Sequence, residues 1–330
     1  MLPTIVFVHL NSPIPFYLRF NIISTIKKFP SAKVVLIHNI KGPKKIHTHL
    51  EQFKYEPGET SKSIESLLQH PRNFRSNFWF SAIQRFDALR MYMEKFNEPI
   101  VHLESDVIIS KDFPLKKFLD TDKKIAFPIV ANNRGVASSV FIKDLETSEN
   151  LVRAAKDSCL VNAHTTDMEI LADFFENNQD KTMSLAFGPE SIDAYHDNFK
   201  IESNALSTQT FKGIFDGNDI GVYLFGTDPR NARGISFMRT SIPGNYSKVD
   251  TWEFSFDNRR KFINLEFNGS IIPLYSVHAT SKQLALFHHA TQNLYIRKYQ
   301  KKAYRAGDRR FSPFIALSMG VRKIVRLLKS

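Results

Sequence analysis

Short apolar runs alternate with longer amphipathic stretches along this chain. Thr4 to His9 (TIVFVH) is apolar and rich in β-branched residues, the mark of a strand buried on both faces. Asn11-Ser12-Pro13 breaks the run, and Leu18, Ile22, Ile23, Ile26 and Phe29 then recur at helical spacing up to Pro30. Lys33 to His38 (KVVLIH) is a second strand. A strand, a helix and a strand joined by short connections make a parallel, right-handed unit, which predicts the doubly wound α/β class. Residues 40 to 76 are mixed and polar, with turns at Gly42-Pro43 and Pro57-Gly58. Asn77 to Phe96 is the most regular helix, with Phe78, Ala82, Phe86, Leu89 and Met93 on one stripe. Ile100, Val101 and Leu103 form another buried strand. Lys124 to Val130 and Gly135 to Ile142 read as strands around an Asn132-Asn133-Arg134-Gly135 turn, Thr165 to Phe175 as a helix, and Ile271 to His278 (IIPLYSVH) as a last strand.

Composition narrows the class. A chain of 330 residues, 42% hydrophobic, fills a sizeable core in one large domain or two modest ones. Its net charge of +12 would suggest nucleic acid or an anionic membrane if spread evenly, and it is not. From Arg297 onward eleven Lys or Arg stand against one acid, Asp308, while the rest of the chain holds 34 basic and 32 acidic residues. Within that tail Phe314, Leu317, Val321, Ile324, Val325 and Leu328 share a helical face, and Arg322, Lys323, Arg326 and Lys329 take the other. Such a basic amphipathic helix reads as an anchor on an anionic membrane surface. Tyr295, Tyr299 and Tyr304 are interleaved with the basic residues, but nucleic-acid binding through the tail is the less favoured reading. The single Cys159 excludes an intrachain disulfide and a Cys-based zinc site. The N-terminus has no basic n-region and meets His9 and Pro13 too soon for a signal peptide, so a cytoplasmic location is expected. No GxGxxG follows the first strand and no GxxxxGK[ST] occurs, which argues against dinucleotide and P-loop chemistry.

Candidate chemistry concentrates where the Ile100–Leu103 strand ends, in PIVHLESDVIISK. Glu104 and Asp106 follow that strand directly. Burying an unpaired carboxylate is costly, so the pair calls for a cation, hydrogen-bond donors or exposure in a crevice. Ligands of open α/β sheets sit beyond the carboxyl ends of the strands. On extended backbone, side chains at i and i+2 point the same way, so both carboxylates can face one hard cation or a metal-bound diphosphate. Arg85 and Asp87, in the aromatic surroundings of the regular helix, read by themselves as a surface ion pair. Thr166 reads as an N-cap, with Asp167 and Glu169 in a first turn that suits the helix dipole.

The acidic-x-acidic triplet after an apolar strand resembles the Asp-x-Asp element of nucleotide-sugar glycosyltransferases of the GT-A fold, with Glu in the first place. His278 at the end of the last strand, with Lys282 four residues on, matches in order the C-terminal His and Lys of metal-dependent members. The turn-rich string from Gly213 to Gly234 is similar to one in bacterial enzymes of surface-polysaccharide synthesis. The resemblance implies a GT-A-like domain over residues 1 to 285, with a mixed, mainly parallel sheet flanked by helices, then the basic helical tail 286 to 330. It implies Mn2+ or Mg2+ held by Glu104, Asp106 and His278. It also implies a nucleotide-sugar donor, UDP-linked for preference, bound by His9, Asn11, Arg85, Asp87 and Lys282, with Lys282 offsetting charge on the departing diphosphate. Inverting members place their base at a helix start beside the donor, which singles out Asp167 first and Glu169 second. Asp216, Asn218 and Asp219 could accept hydrogen bonds from sugar hydroxyls. The expected acceptor is a glycan or lipid-linked glycan at the inner membrane face. A nucleotidyltransferase of the same fold is the alternative, but it would carry a Gly-rich, basic loop after the first strand, where residues 10 to 15 read LNSPIP.

Overall fold

A computed structural model describes residues 2–41, 46–70, 77–188, 202–218, 220–221, 253–257, 259–260 and 262–279. In chain order the elements are β1 (Thr4–His9), α1 (Phe16–Lys28), β2 (Val34–His38), β3 (Leu50–Lys54), α2 (Glu59–Leu67), α3 (Phe78–Phe96), β4 (Ile100–Leu103), β5 (Val107–Ile109), α4 (Leu115–Leu119), β6 (Ile125–Phe127) and β7 (Ile129–Ala131). They continue with β8 (Arg134–Gly135), β9 (Ser139–Ile142), α5 (Leu145–Val161), α6 (Asp167–Asn177), β10 (Thr182–Ser184), α7 (Glu202–Phe211), β11 (Ile214–Phe215), β12 (Glu253–Asp257), β13 (Phe262–Phe267) and β14 (Ser270–His278).

Seven strands form the main sheet in the order β10-β6-β9-β4-β1-β2-β3. β3, β2, β1 and β4 run parallel, and β9 lies antiparallel between β4 and β6. The sheet is therefore mixed and mainly parallel, as the β-α-β start predicts. Alternation along the strands divides the core. Val6, Val35, Ile37 and Ile100 pack with Ile83 of α3, Leu151 of α5 and Ile170 of α6, while Ile5, Phe7, Leu36 and Val101 pack with Leu18 of α1, Phe118 of α4 and Phe211 of α7. Helices thus cover both faces, and the central strands have no polar side to show.

A smaller sheet, β11-β14-β13-β12, carries β5 against β14. Its own core holds Ile108, Phe254, Phe262, Leu265 and Val277. β4 and β5 are joined only by residues 104 to 106, so the chain passes from one sheet to the other through the acidic triplet. Several elements differ from the expected pattern. The polar stretch 40 to 76 contains β3 and α2, and β12 and β13 precede the last strand. Strand β3 is an edge strand whose Glu51, Gln52 and Lys54 are exposed, and its two apolar residues, Leu50 and Phe53, three positions apart, pack on opposite faces, so no two-residue alternation shows in the sequence. Among the described residues no helix is long and apolar enough to cross a membrane. The basic tail lies outside the described residues.

Candidate active site

The strand order reverses between β1 and β4, and the carboxyl ends of these two neighbours open the crevice where ligands of α/β sheets bind. Glu104 and Asp106 stand there, but not on extended backbone. The Val107 amide donates to the Glu104 carbonyl at 3.0 Å, closing a tight turn that redirects the chain into the second sheet. The turn is pinned from beneath by Asn21 of α1, whose side-chain amide donates to the carbonyls of Ser105 (3.2 Å) and Val107 (2.7 Å). Asn21 is 1% exposed and sits on the apolar face of its helix. A buried Asn on such a face was the available sign of a backbone needing support, and periodicity alone passes over it.

β14 delivers the third group. It pairs antiparallel with β5 so that His278 lies opposite Val107, and the Ala279 amide donates to the Asp106 carbonyl at 2.9 Å. His278 Nε2 is 3.4 Å from both Glu104 Oε2 and Asp106 Oδ2. One ligand atom from each of Glu104, Asp106 and His278 falls within 4.8 Å of the others. Two carboxylate oxygens and an imidazole nitrogen are a donor set that fits a divalent cation of the Mn2+ type.

Arg85 of α3 ties this cluster to α6. It donates from Nη1 to Glu104 Oε1 and from Nη2 to Asp167 Oδ2, both at 2.6 Å, and from Nε to the Ala82 carbonyl at 2.7 Å. With side chains at 9% and 8% exposure, Arg85 and Asp167 form a buried pair, whereas the expected partner of Arg85 was Asp87, at the surface. Burial pushes the Glu104 carboxyl up, but the Arg85 charge is the strongest influence against it, and the carboxyl stays below the usual range. At Asp167 burial wins over the Arg85 charge, and its carboxyl is raised. Burial first, and the Arg85 charge second, push the His102 imidazole down to about 3, so this neighbour of the cluster stays neutral.

The remaining candidates divide. Asp87 points away from the cluster, accepting from Tyr55 Oη at 2.8 Å and Arg90 Nε at 3.0 Å. Two positions from Arg85, it lies on the opposite side of the helix, so the structure does not bring the two together. Glu169 closes a capping box, its Oε2 accepting from the Thr166 amide (2.8 Å) and hydroxyl (3.0 Å). Asn11, at a left-handed φ of 60°, donates to Ser81 Oγ and Gln84 Oε1 and is held by Asn39. His9 Nε2 lies 3.1 Å from the Pro13 carbonyl and from Ser12 Oγ. His9 ends β1 and Asn11 follows it, at the carboxyl edge of the sheet. Asp216 was expected to meet sugar hydroxyls; it is 1% exposed, and its two oxygens accept from backbone amides instead. Lys282 and Asp219 lie outside the described residues.

No protein-family model and no curated protein matches the sequence. Among solved structures the chain is similar to the galactosyltransferase LgtC in complex with donor and acceptor sugar analogues, at 13% identity over 59% of this chain and 80% of that one, with a TM-score of 0.39. It is also similar to mouse xyloside xylosyltransferase 1 (9% identity, 56% and 85% covered, TM-score 0.39) and to the PaToxG glycosyltransferase (12% identity, 54% and 70% covered, TM-score 0.38).

Proposed function

We propose that this protein is a metal-dependent glycosyltransferase of GT-A type, moving a sugar from a nucleotide-diphosphate donor to a glycan or lipid-linked glycan hydroxyl. One observation carries the reading: Glu104, Asp106 and His278 converge within 4.8 Å just beyond a central strand, where the strand order reverses. Glu104 and Asp167 share the Arg85 guanidinium, and Asp106 stands beside them against His278, so three carboxylates gather at a place where a divalent cation would find oxygen ligands. Mn2+ or Mg2+ held by Glu104, Asp106 and His278 would neutralise the donor diphosphate as it departs. Arg85 holds Glu104 and Asp167 in fixed relation across the crevice. In an inverting transfer Asp167, with its carboxyl raised by burial, takes the proton of the acceptor hydroxyl. In a retaining transfer that role falls away, and the anomeric configuration of the product decides between them. His9 and Asn11 border the donor side, UDP is the favoured nucleotide, and Lys282 is the residue that the sequence resemblance assigns to the diphosphate. The basic tail holds the enzyme at the inner membrane face, where lipid-linked acceptors are found.

Calorimetric titration of UDP, GDP and CDP, with and without Mn2+, into wild type and Asp106→Ala tests the reading. The expected result is Mn2+-dependent binding of one nucleotide that Asp106→Ala abolishes. Binding of none of them under any metal condition would overturn it.

A further inference from the structure

Asp216 follows β11 and is almost wholly buried, an expensive place for a carboxylate without partners. It has four. Oδ1 accepts from the amides of Asn218 (2.8 Å) and Ile220 (3.1 Å), and Oδ2 from those of Gly221 (2.7 Å) and His278 (2.9 Å). Three of these donors close its own loop; the fourth belongs to the end of β14. The loop approaches that strand so closely that a Cβ on Gly221 would lie 1.9 Å from the His278 carbonyl oxygen. On its other side a Cβ on Gly217 would lie 2.6 Å from Val130 Cγ1, so the loop is wedged between β7 and β14. The same loop touches the His278 ring, because Gly217 O is 3.5 Å from Nδ1. A carbonyl can only accept, so the proton of the neutral ring belongs on Nδ1. The lone pair is then on Nε2, on the side of Glu104 and Asp106.

We propose that Asp216 is a positioning residue for His278, drawing the 216–221 loop against the end of β14 so that the imidazole presents Nε2 to the two carboxylates. The assignment rests on the metal reading of the site. Outer groups that orient a ligating imidazole affect metal affinity by about 10- to 100-fold. A loop staple with no such role would change stability alone.

The test is a double-mutant cycle on the full chain: wild type, Asp216→Asn, His278→Ala and the double variant. Mn2+ affinity is read from the electron paramagnetic resonance of the free ion, with thermal unfolding of the metal-free proteins in parallel. Asp216→Asn is expected to weaken Mn2+ about tenfold in the wild-type background and by no more than about twofold in the His278→Ala background. Equal loss in both backgrounds, or no loss in either, overturns the proposal while leaving Mn2+ binding by the wild type intact. A wild type that binds no Mn2+ at all overturns the metal reading and this assignment with it. Should Asp216→Asn not fold, Gly221→Ala replaces it in the same cycle, since its methyl group displaces the loop from His278.

Discussion

The same central strands carry an ion cluster at each end, and the two are built differently. At the amino ends, Glu98 accepts from Lys33 Nζ (2.9 Å), Thr4 Oγ1 (2.9 Å) and the Tyr92 hydroxyl, and Lys33 lies 4.5 Å from the centre of the Phe96 ring. Glu98 meets one cation and two neutral donors, and the same Lys33 also reaches the exposed Glu51 at 3.4 Å. At the carboxyl ends, among the described residues, Arg85 bridges Glu104 and Asp167, and Asp106 stands beside them within reach of His278. The first cluster surrounds its half-buried acid with neutral donors; the second gathers three acids around one guanidinium and one imidazole. A network of neutral donors around an acid stabilises a fold, whereas acids crowded at a crevice are a candidate place for a ligand.

Breaking the carboxyl-end cluster should show the largest effect. Arg85→Met leaves two carboxylates without their cation and is expected to cost about 3–5 kcal/mol in urea unfolding of the metal-free protein. Mn2+ at a hundred times its dissociation constant should raise wild-type stability by about 2.7 kcal/mol, seen as a higher melting temperature that EDTA reverses. Asp106→Asn should abolish that gain yet stabilise the metal-free protein by about 1 kcal/mol, because it removes a like charge from beside Glu104. A metal-free Asp106→Asn no more stable than wild type would mean that the acids are already balanced. The amino-end cluster should give the smallest and ordinary result. Glu98→Gln is expected to cost about 0.5–1 kcal/mol at pH 7. Burial pushes the Glu98 carboxyl up, but the hydrogen bonds from Tyr92 and Lys33 outweigh that and hold it below its ordinary 4.5. A depressed carboxyl contributes stability above that value and loses it as pH falls. The gap between wild type and Glu98→Gln should therefore close in urea titrations below about pH 4.5.

The difference between the clusters also separates what was legible in the sequence from what was not. β1, α1, β2, α3, β4 and β14 are readable because buried elements leave periodic apolar patterns. β3 and α2 are not, since their exposed faces dilute the period to Leu50, Phe53 and Ile64. The positions of Glu104, Asp106 and His278 at strand ends are visible from sequence, but the way they meet is not. An extended i, i+2 pair was the expectation, and a turn between two sheets is the finding. Arg85 and Asp167 are far apart in the chain and look like an ordinary helix charge and a first-turn acid; only the packing of α3 beside α6 joins them. Asn21 and Asp216 escape for the opposite reason. Each acts through backbone amides or carbonyls of a distant segment, and backbone partners leave no mark on the sequence.

The passage of the chain from one sheet to the other at residues 104 to 106 has a kinetic consequence. Glu104 and His278 are about 170 residues apart, so closing that loop comes late, after the strands on either side have found their neighbours. The donor set does not exist in a half-folded chain, and a cation cannot guide the early collapse. In a nascent or partly unfolded molecule the three groups therefore stand apart, and they come together only when the last strand has docked.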